Sequence, residues 1–203
     1  MTSNPYEDAT RLALDGHNVI ITGQAGSGKS FLLSDIASQL KQRNKNVQKV
    51  ASTWLAASII SQEEGARTLH NFCGLKTGNQ TDRELKNVAS QDDVMSRLRA
   101  TDCLLIDEIS MISNEIIRQA NIVFCEARQC SRPFGGVQVL LFGDFFQLPP
   151  VNDEHIFQWE KFNEAIPHRI NLDRNFRFIY LAVLRYNRSI WTIFFCLDKT
   201  KLL

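Results

Sequence analysis

The chain has 203 residues, 23 of them basic and 22 acidic, for a formal net charge of +1. That length supports one sound hydrophobic core or at most two small domains, and a 44% hydrophobic, 22% charged composition excludes a disordered or fibrous class. Without a global basic field, any contact with nucleic acid must be made by a local groove.

VIIT at 19–22 reads as a strand bounded by Gly16 and Gly23. It runs into Gly23-Gln24-Ala25-Gly26-Ser27-Gly28-Lys29-Ser30, which fits the pattern G-x-x-x-x-G-K-[ST]. Glycines let such a loop bend until its backbone N–H groups converge on phosphate oxygens, and a helix opening at Lys29 adds its positive dipole end. Lys29 would reach the β- and γ-phosphates, and the Ser30 hydroxyl would ligate Mg²⁺.

Residues 29–43 place Leu32, Leu33, Ile36 and Leu40 on one helical face. Asn44 and Asn46 mark a turn, VQKVAS at 47–52 a second strand, and WLAASII at 54–60 a helix-prone run. Residues 74–100 are polar, with a helical pattern only toward Val94, Leu98 and Arg99. CLLID at 103–107 is a third strand. Asp107 and Glu108 end it, the first suited to hold Mg²⁺ and the second to orient and deprotonate an attacking water.

Residues 112–127 carry a helical stripe from Ile112 through Ile116, Ile117, Ala120, Val123 and Phe124 to Ala127. VQVLLF at 137–142 is a fourth strand, followed by GDFFQLPP at 143–150. Prolines cannot continue a strand ladder, so Pro149 and Pro150 turn the chain away. Gln147 is left at the strand's carboxyl end, where open α/β sheets bind ligands. Phe145 and Phe146 read as packing residues. RINL at 169–172 is a fifth strand. Strands separated by helices imply an α/β fold with a parallel sheet covered on both faces.

The five cysteines are odd in number and form no C-x-x-C pair, the usage of a reduced intracellular protein. The segment MTSNPYEDATR has neither the apolar core of a secretory signal nor the arginine-rich character of a transit peptide. The apolar stretch from Ile179 to Leu197 is interrupted by Arg185 and Arg188, which argues against a membrane helix. A soluble protein is expected.

IDEISMI at 106–112 and FGGVQVLLFGDFFQLPPV at 134–151 resemble the petite-integration-frequency (Pif) family of superfamily-one 5′-to-3′ DNA helicases. GHNVIITGQAGSGKS at 16–30, ASTWLAA at 51–57, GARTLHNFCGL at 65–75 and FQWEKFNEAIPHRINLDRNFR at 157–177 resemble further motifs of that family, in its order. The resemblance implies a P-loop NTPase of RecA-like fold, a motor driven by ATP and Mg²⁺. It implies single-stranded or forked duplex DNA as partner, work in repair, recombination or telomere maintenance, and a nuclear location in a eukaryote. It makes Gln147 the γ-phosphate sensor and Arg177 a second contact to that phosphate. Thr53, Thr68, His70, Asn71 and Phe72 fall in segments resembling the family's DNA-contacting motifs, with Phe72 a candidate either to stack on a base or to pack as a core aromatic, and His70 either a contact or a structural histidine.

The chain also departs from the family. Residues 4–12 lack the glutamine that reads adenine, Trp54 stands where glycine is usual, and Phe178 where glutamine is usual. The resemblance ends at Phe178, so one motor domain is expected over 1–178, with a divergent tail at 179–203 and no second motor domain. The alternative expectation is therefore a non-catalytic module that binds ATP·Mg²⁺. A P-loop kinase is disfavoured by the Asp107–Glu108 pair and GDFFQLPP.

Overall fold

The computed structural model describes residues 4–53, 67–76, 80–147, 150 and 154–173. Helix α1 (Pro5–Leu14) leads into strand β1 (Val19–Gly23) and helix α2 (Lys29–Gln42). Strand β2 (Val47–Ala51) is followed by three helices, α3 (Leu69–Cys73), α4 (Asp82–Ala89) and α5 (Asp92–Ala100). Strand β3 (Cys103–Asp107), helix α6 (Asn114–Arg128), strand β4 (Gln138–Gly143), helix α7 (Phe162–Ala165) and strand β5 (His168–Leu172) complete the described chain.

The five strands form one sheet in the order β2-β3-β4-β1-β5. Every pairing is parallel, with Ala51 opposite Asp107, Ile106 opposite Leu141, Thr22 opposite Gly143 and Gly23 opposite Leu172. The expected α/β class and the five expected strands are thus observed, and all five strands point their carboxyl ends to one edge.

Alternation along each strand splits the core into two layers, because successive side chains leave opposite faces. Val19, Ile21, Leu105, Leu140 and Phe142 pack under α1 and α2. Ile20, Leu104, Ile106, Val139 and Leu141 pack against α3 to α7. The second layer is organised by aromatics. Phe124 sits 6.4 Å from Phe72 and 6.3 Å from Phe134, and Phe134 sits 5.9 Å from Trp159.

Local chemistry fixes the boundaries. The helix expected over 112–127 starts two residues later, because the Ser113 side chain accepts from the Ile116 amide and caps it. The strand expected at 137 starts at Gln138, because the Val137 amide is spent on the Phe134 carbonyl. In the weakly patterned stretch before β3, Thr81 and Glu84 form a reciprocal capping box that opens α4. Helix α1 was not expected from apolar spacing, yet it has a local signature: Asn4 accepts from the Tyr6 amide, Pro5 follows, and Glu7 and Asp8 fill the first turn. The helix-prone run at 54–60, Trp54, Pro149, Arg177 and Phe178 lie outside the described residues.

Candidate functional site

The loop from Gly23 to Gly28 joins β1 to α2 at the carboxyl edge of the sheet. Gly26 and Gly28 have φ of +85° and +86°, a left-handed geometry that side chains disfavour. Gly23 is required for space: a Cβ there would meet Ser27 Oγ at 2.6 Å and the Leu172 carbonyl at 2.8 Å. The ammonium of Lys29 is folded back, donating to the Gly23 carbonyl at 2.6 Å and the Gln24 carbonyl at 3.1 Å. Lys29 is buried and Ser30 is exposed. Ser27 Oγ is buried with no hydrogen-bond partner among the described residues.

Two strands away, Asp107 ends β3 and is buried. Burial pushes its carboxyl up to about 6. The Glu108 amide, which donates to Asp107 Oδ1 at 2.8 Å, and the positive charge of Lys29 oppose that rise, while the Glu108 charge adds to it. Glu108 itself has φ 54° and ψ 45°, a left-handed conformation costing a non-glycine residue about 1–2 kcal/mol. That turn lifts Glu108 off the strand direction into a half-buried position. The turn lies tight against β4, since a Cβ on Gly143 would meet Ile109 Cγ1 at 2.6 Å.

After β4, Asp144 is buried and organises the next turn. Its carbonyl accepts from the Gln147 amide at 3.0 Å, one carboxylate oxygen accepts from the Phe146 amide at 3.1 Å, and the other accepts from Gln147 Nε2 at 3.3 Å. Gln147 is therefore exposed and held by an acid that the sequence reading assigned no role. Its Asx-turn signal, an aspartate directly after a strand's last glycine, was legible.

The chemistry of this donor set fits a magnesium nucleotide. A glycine cradle that a Cβ at Gly23 would fill, a lysine satisfied by bonds it can exchange, and a buried carboxyl whose pKa burial raises all meet at one edge. Lys29 and the loop amides would hold phosphates, and Ser30 with Asp107 would hold Mg²⁺.

The segments expected to touch DNA gather at the β2 corner. Ala51 bridges to Thr68, and its amide donates to the Arg67 carbonyl at 3.3 Å. Thr68 caps α3 by accepting from the Asn71 amide at 3.2 Å. Asn71 is exposed, whereas Thr53, Thr68 and His70 are half-buried, and burial lowers the His70 pKa from its ordinary value. Phe72 is a correction. Its ring is 1% exposed, packs on Phe124 and lies under the Arg97 guanidinium, so no base can reach it. Phe146 is corrected in the other direction: expected to pack, it is 91% exposed. Phe145 does pack, against His155 and Phe157.

A family model described as PIF1-like helicase matches residues 7–185. The ATP-dependent DNA helicase RRM3 of Saccharomyces cerevisiae is 40% identical over 170 residues, covering 79% of this chain and 23% of that protein. The crystal structure of Pif1 helicase from Candida albicans superposes with a TM-score of 0.79 at 36% identity, covering 87% of this chain and 41% of that one. Pif1 helicase from Bacteroides in complex with ADP-AlF3 and ssDNA superposes with a TM-score of 0.71 at 28% identity, covering 87% of this chain and 43% of that one. The chain thus spans about a quarter of the length of the curated relatives it matches.

Proposed function

The chain belongs to the PIF1-like helicase family, and from that premise we propose that it forms the ATP-hydrolysing motor domain, over residues 1–178, of a DNA helicase. The observation that carries this reading is the convergence of the phosphate loop, the Asp107–Glu108 pair and the Asp144–Gln147 turn on one edge of a parallel sheet. Lys29 exchanges its bonds to the Gly23 and Gln24 carbonyls for the β- and γ-phosphates, while the loop amides line the rest of the chain of phosphates. Ser30 and Asp107 would hold Mg²⁺, which would supply neutralisation of the phosphate charge. Glu108, raised off the strand by its left-handed backbone, orients the attacking water and takes its proton. Gln147 meets the terminal phosphate, and its loss leaves the amide to Asp144 alone. Arg177 adds a cation to the same phosphate.

Thr53, Thr68, His70 and Asn71 carry the single strand of a tailed or forked duplex past the β2 corner. The Bacteroides Pif1 helicase that superposes on this chain is in complex with ADP-AlF3 and ssDNA, which supports a nucleotide and a single strand as the ligands.

The test is ATP turnover by the chain with and without single-stranded DNA, beside Lys29→Ala and Glu108→Gln. Turnover stimulated by DNA is expected, with a loss of about 100-fold or more in either variant. Mg²⁺·nucleotide binding should be weakened in Lys29→Ala and kept in Glu108→Gln. Binding without turnover in the unsubstituted chain would reassign it as a nucleotide-binding module.

A further inference from the structure

Helix α6 ends in a left-handed turn that brings two thiols together. The Cys130 amide donates to the Cys125 carbonyl at 3.1 Å and the Gln129 amide to the Glu126 carbonyl at 3.1 Å, with Gln129 at φ 50°. These two bonds make a Schellman turn, which lays the residue after the left-handed position against the one five places before it. In this chain both of those residues are cysteines, half-buried and with free thiols. The turn follows α6 and precedes β4, so it lies at the edge of the sheet opposite the phosphate loop.

Arg132 serves both thiols. The Cys125 Sγ–H donates to the Arg132 carbonyl at 3.3 Å. The Arg132 side chain and amide hydrogen-bond the Cys130 sulfur and, with the charges of Arg132 and Arg128, hold that thiol below its ordinary pKa. Cys125 is pushed the other way, by burial first and then by the Cys130 charge, against the Gly135 amide and the Lys161 charge. The two sulfurs thus differ in kind. Cys130 is the readier nucleophile, and Cys125 is a thiol held protonated beside it.

We propose that Cys130 is a peroxide-modification site and Cys125 its resolving thiol, the two closing a disulfide across the end of α6. The Cys130 thiolate attacks one oxygen of hydrogen peroxide. The O–O bond breaks, hydroxide leaves and is protonated to water, and Cys130 becomes a sulfenic acid. Cys125 then attacks the Cys130 sulfur, and the departing hydroxide takes the Cys125 proton to leave as a second water. Two thiols and one peroxide become one disulfide and two waters, with two electrons passing from the sulfurs to the peroxide oxygens.

The test is peptide mapping of the reduced full chain after treatment with hydrogen peroxide, the remaining thiols being blocked with N-ethylmaleimide. Trypsin cuts after Arg118 and Arg128, so the disulfide is read as peptide 119–128 joined to the peptide that opens at Gln129. That joined pair should dominate in dilute protein, and dithiothreitol should separate it. In Cys125→Ser, dimedone should capture a sulfenic acid on Cys130, and in Cys130→Ser, Cys125 should stay reduced. Arg132→Gln should slow alkylation of Cys130 at pH 7 by about twofold or more. The mapping on the unsubstituted chain decides the pairing even where a variant folds poorly. Cys130 left reduced by peroxide, joined to a cysteine other than Cys125, or persisting as a sulfenic acid in the unsubstituted chain overturns the proposal. An unchanged alkylation rate in Arg132→Gln overturns the activation by Arg132.

Discussion

Asp107 is an acid kept from water by burial at the end of β3. Its folded pKa, about 6, lies above the ordinary carboxylate value, so between the two values the folded chain holds a proton that the unfolded chain has released. The contribution at this position is most favourable in acid and is lost as pH rises through 6. In the ligand-free chain at pH 7.5, Asp107→Asn should therefore raise unfolding stability by on the order of 1–2 kcal/mol. It should also remove this position's part of the gain seen on lowering pH from 7 to 5. Urea unfolding at both pH values checks it, and Mg²⁺·nucleotide binding should move the opposite way, weakened by the same substitution. A ligand-free variant no more stable than the unsubstituted chain would show that the carboxyl is not strained.

At the scale of elements, α6 is the beam on which the second core layer is assembled. Phe124 is fully buried between Phe72 and Phe134, and truncation to alanine should cost about 3–5 kcal/mol, measured by chemical denaturation. Arg128 ties the end of the same helix to its surroundings, donating to the carbonyls of Leu98, Arg99, Thr101 and Gly135. Arg128→Ala should lose about 1–3 kcal/mol, because four carbonyls, three of them in part-buried bonds, lose one shared donor.

Strands β1, β3 and β4 were legible because each is a short apolar run ended by glycine or acid, and a run buried on both faces needs no partner to identify it. The phosphate loop was legible because its spacing is dictated by the ligand. Helix α1 was not, since its stripe is broken by Glu7, Asp8 and Arg11 and its start rests on a cap rather than a period. The face of Phe72 stayed open in the sequence and that of Phe146 was misjudged, for a common reason. In a five-residue helix or a four-residue turn, periodicity is too short to assign a face, and the facing partner, here Phe124 for Phe72, lies about fifty residues away in sequence.

On the whole molecule, the parallel sheet decides which groups can cooperate, since every strand delivers its next residue to one edge. The pairing of β1 with β5 carries a further consequence. Five residue pairs run in register from Val19 opposite His168 to Gly23 opposite Leu172. Pulling on the chain beyond Asp173 while β1 is anchored at Asn18 would load all of those bonds together, along the strands, rather than peeling them one at a time. With optical-trap handles at residues 18 and 173, rupture should need more force than with handles at 18 and 167, which open the same pair from one end. Equal rupture forces would mean that the strand pairing does not bear the load. A tug arriving through β5 thus reaches the first glycine of the phosphate loop as shear, the direction in which a parallel pair is stiffest.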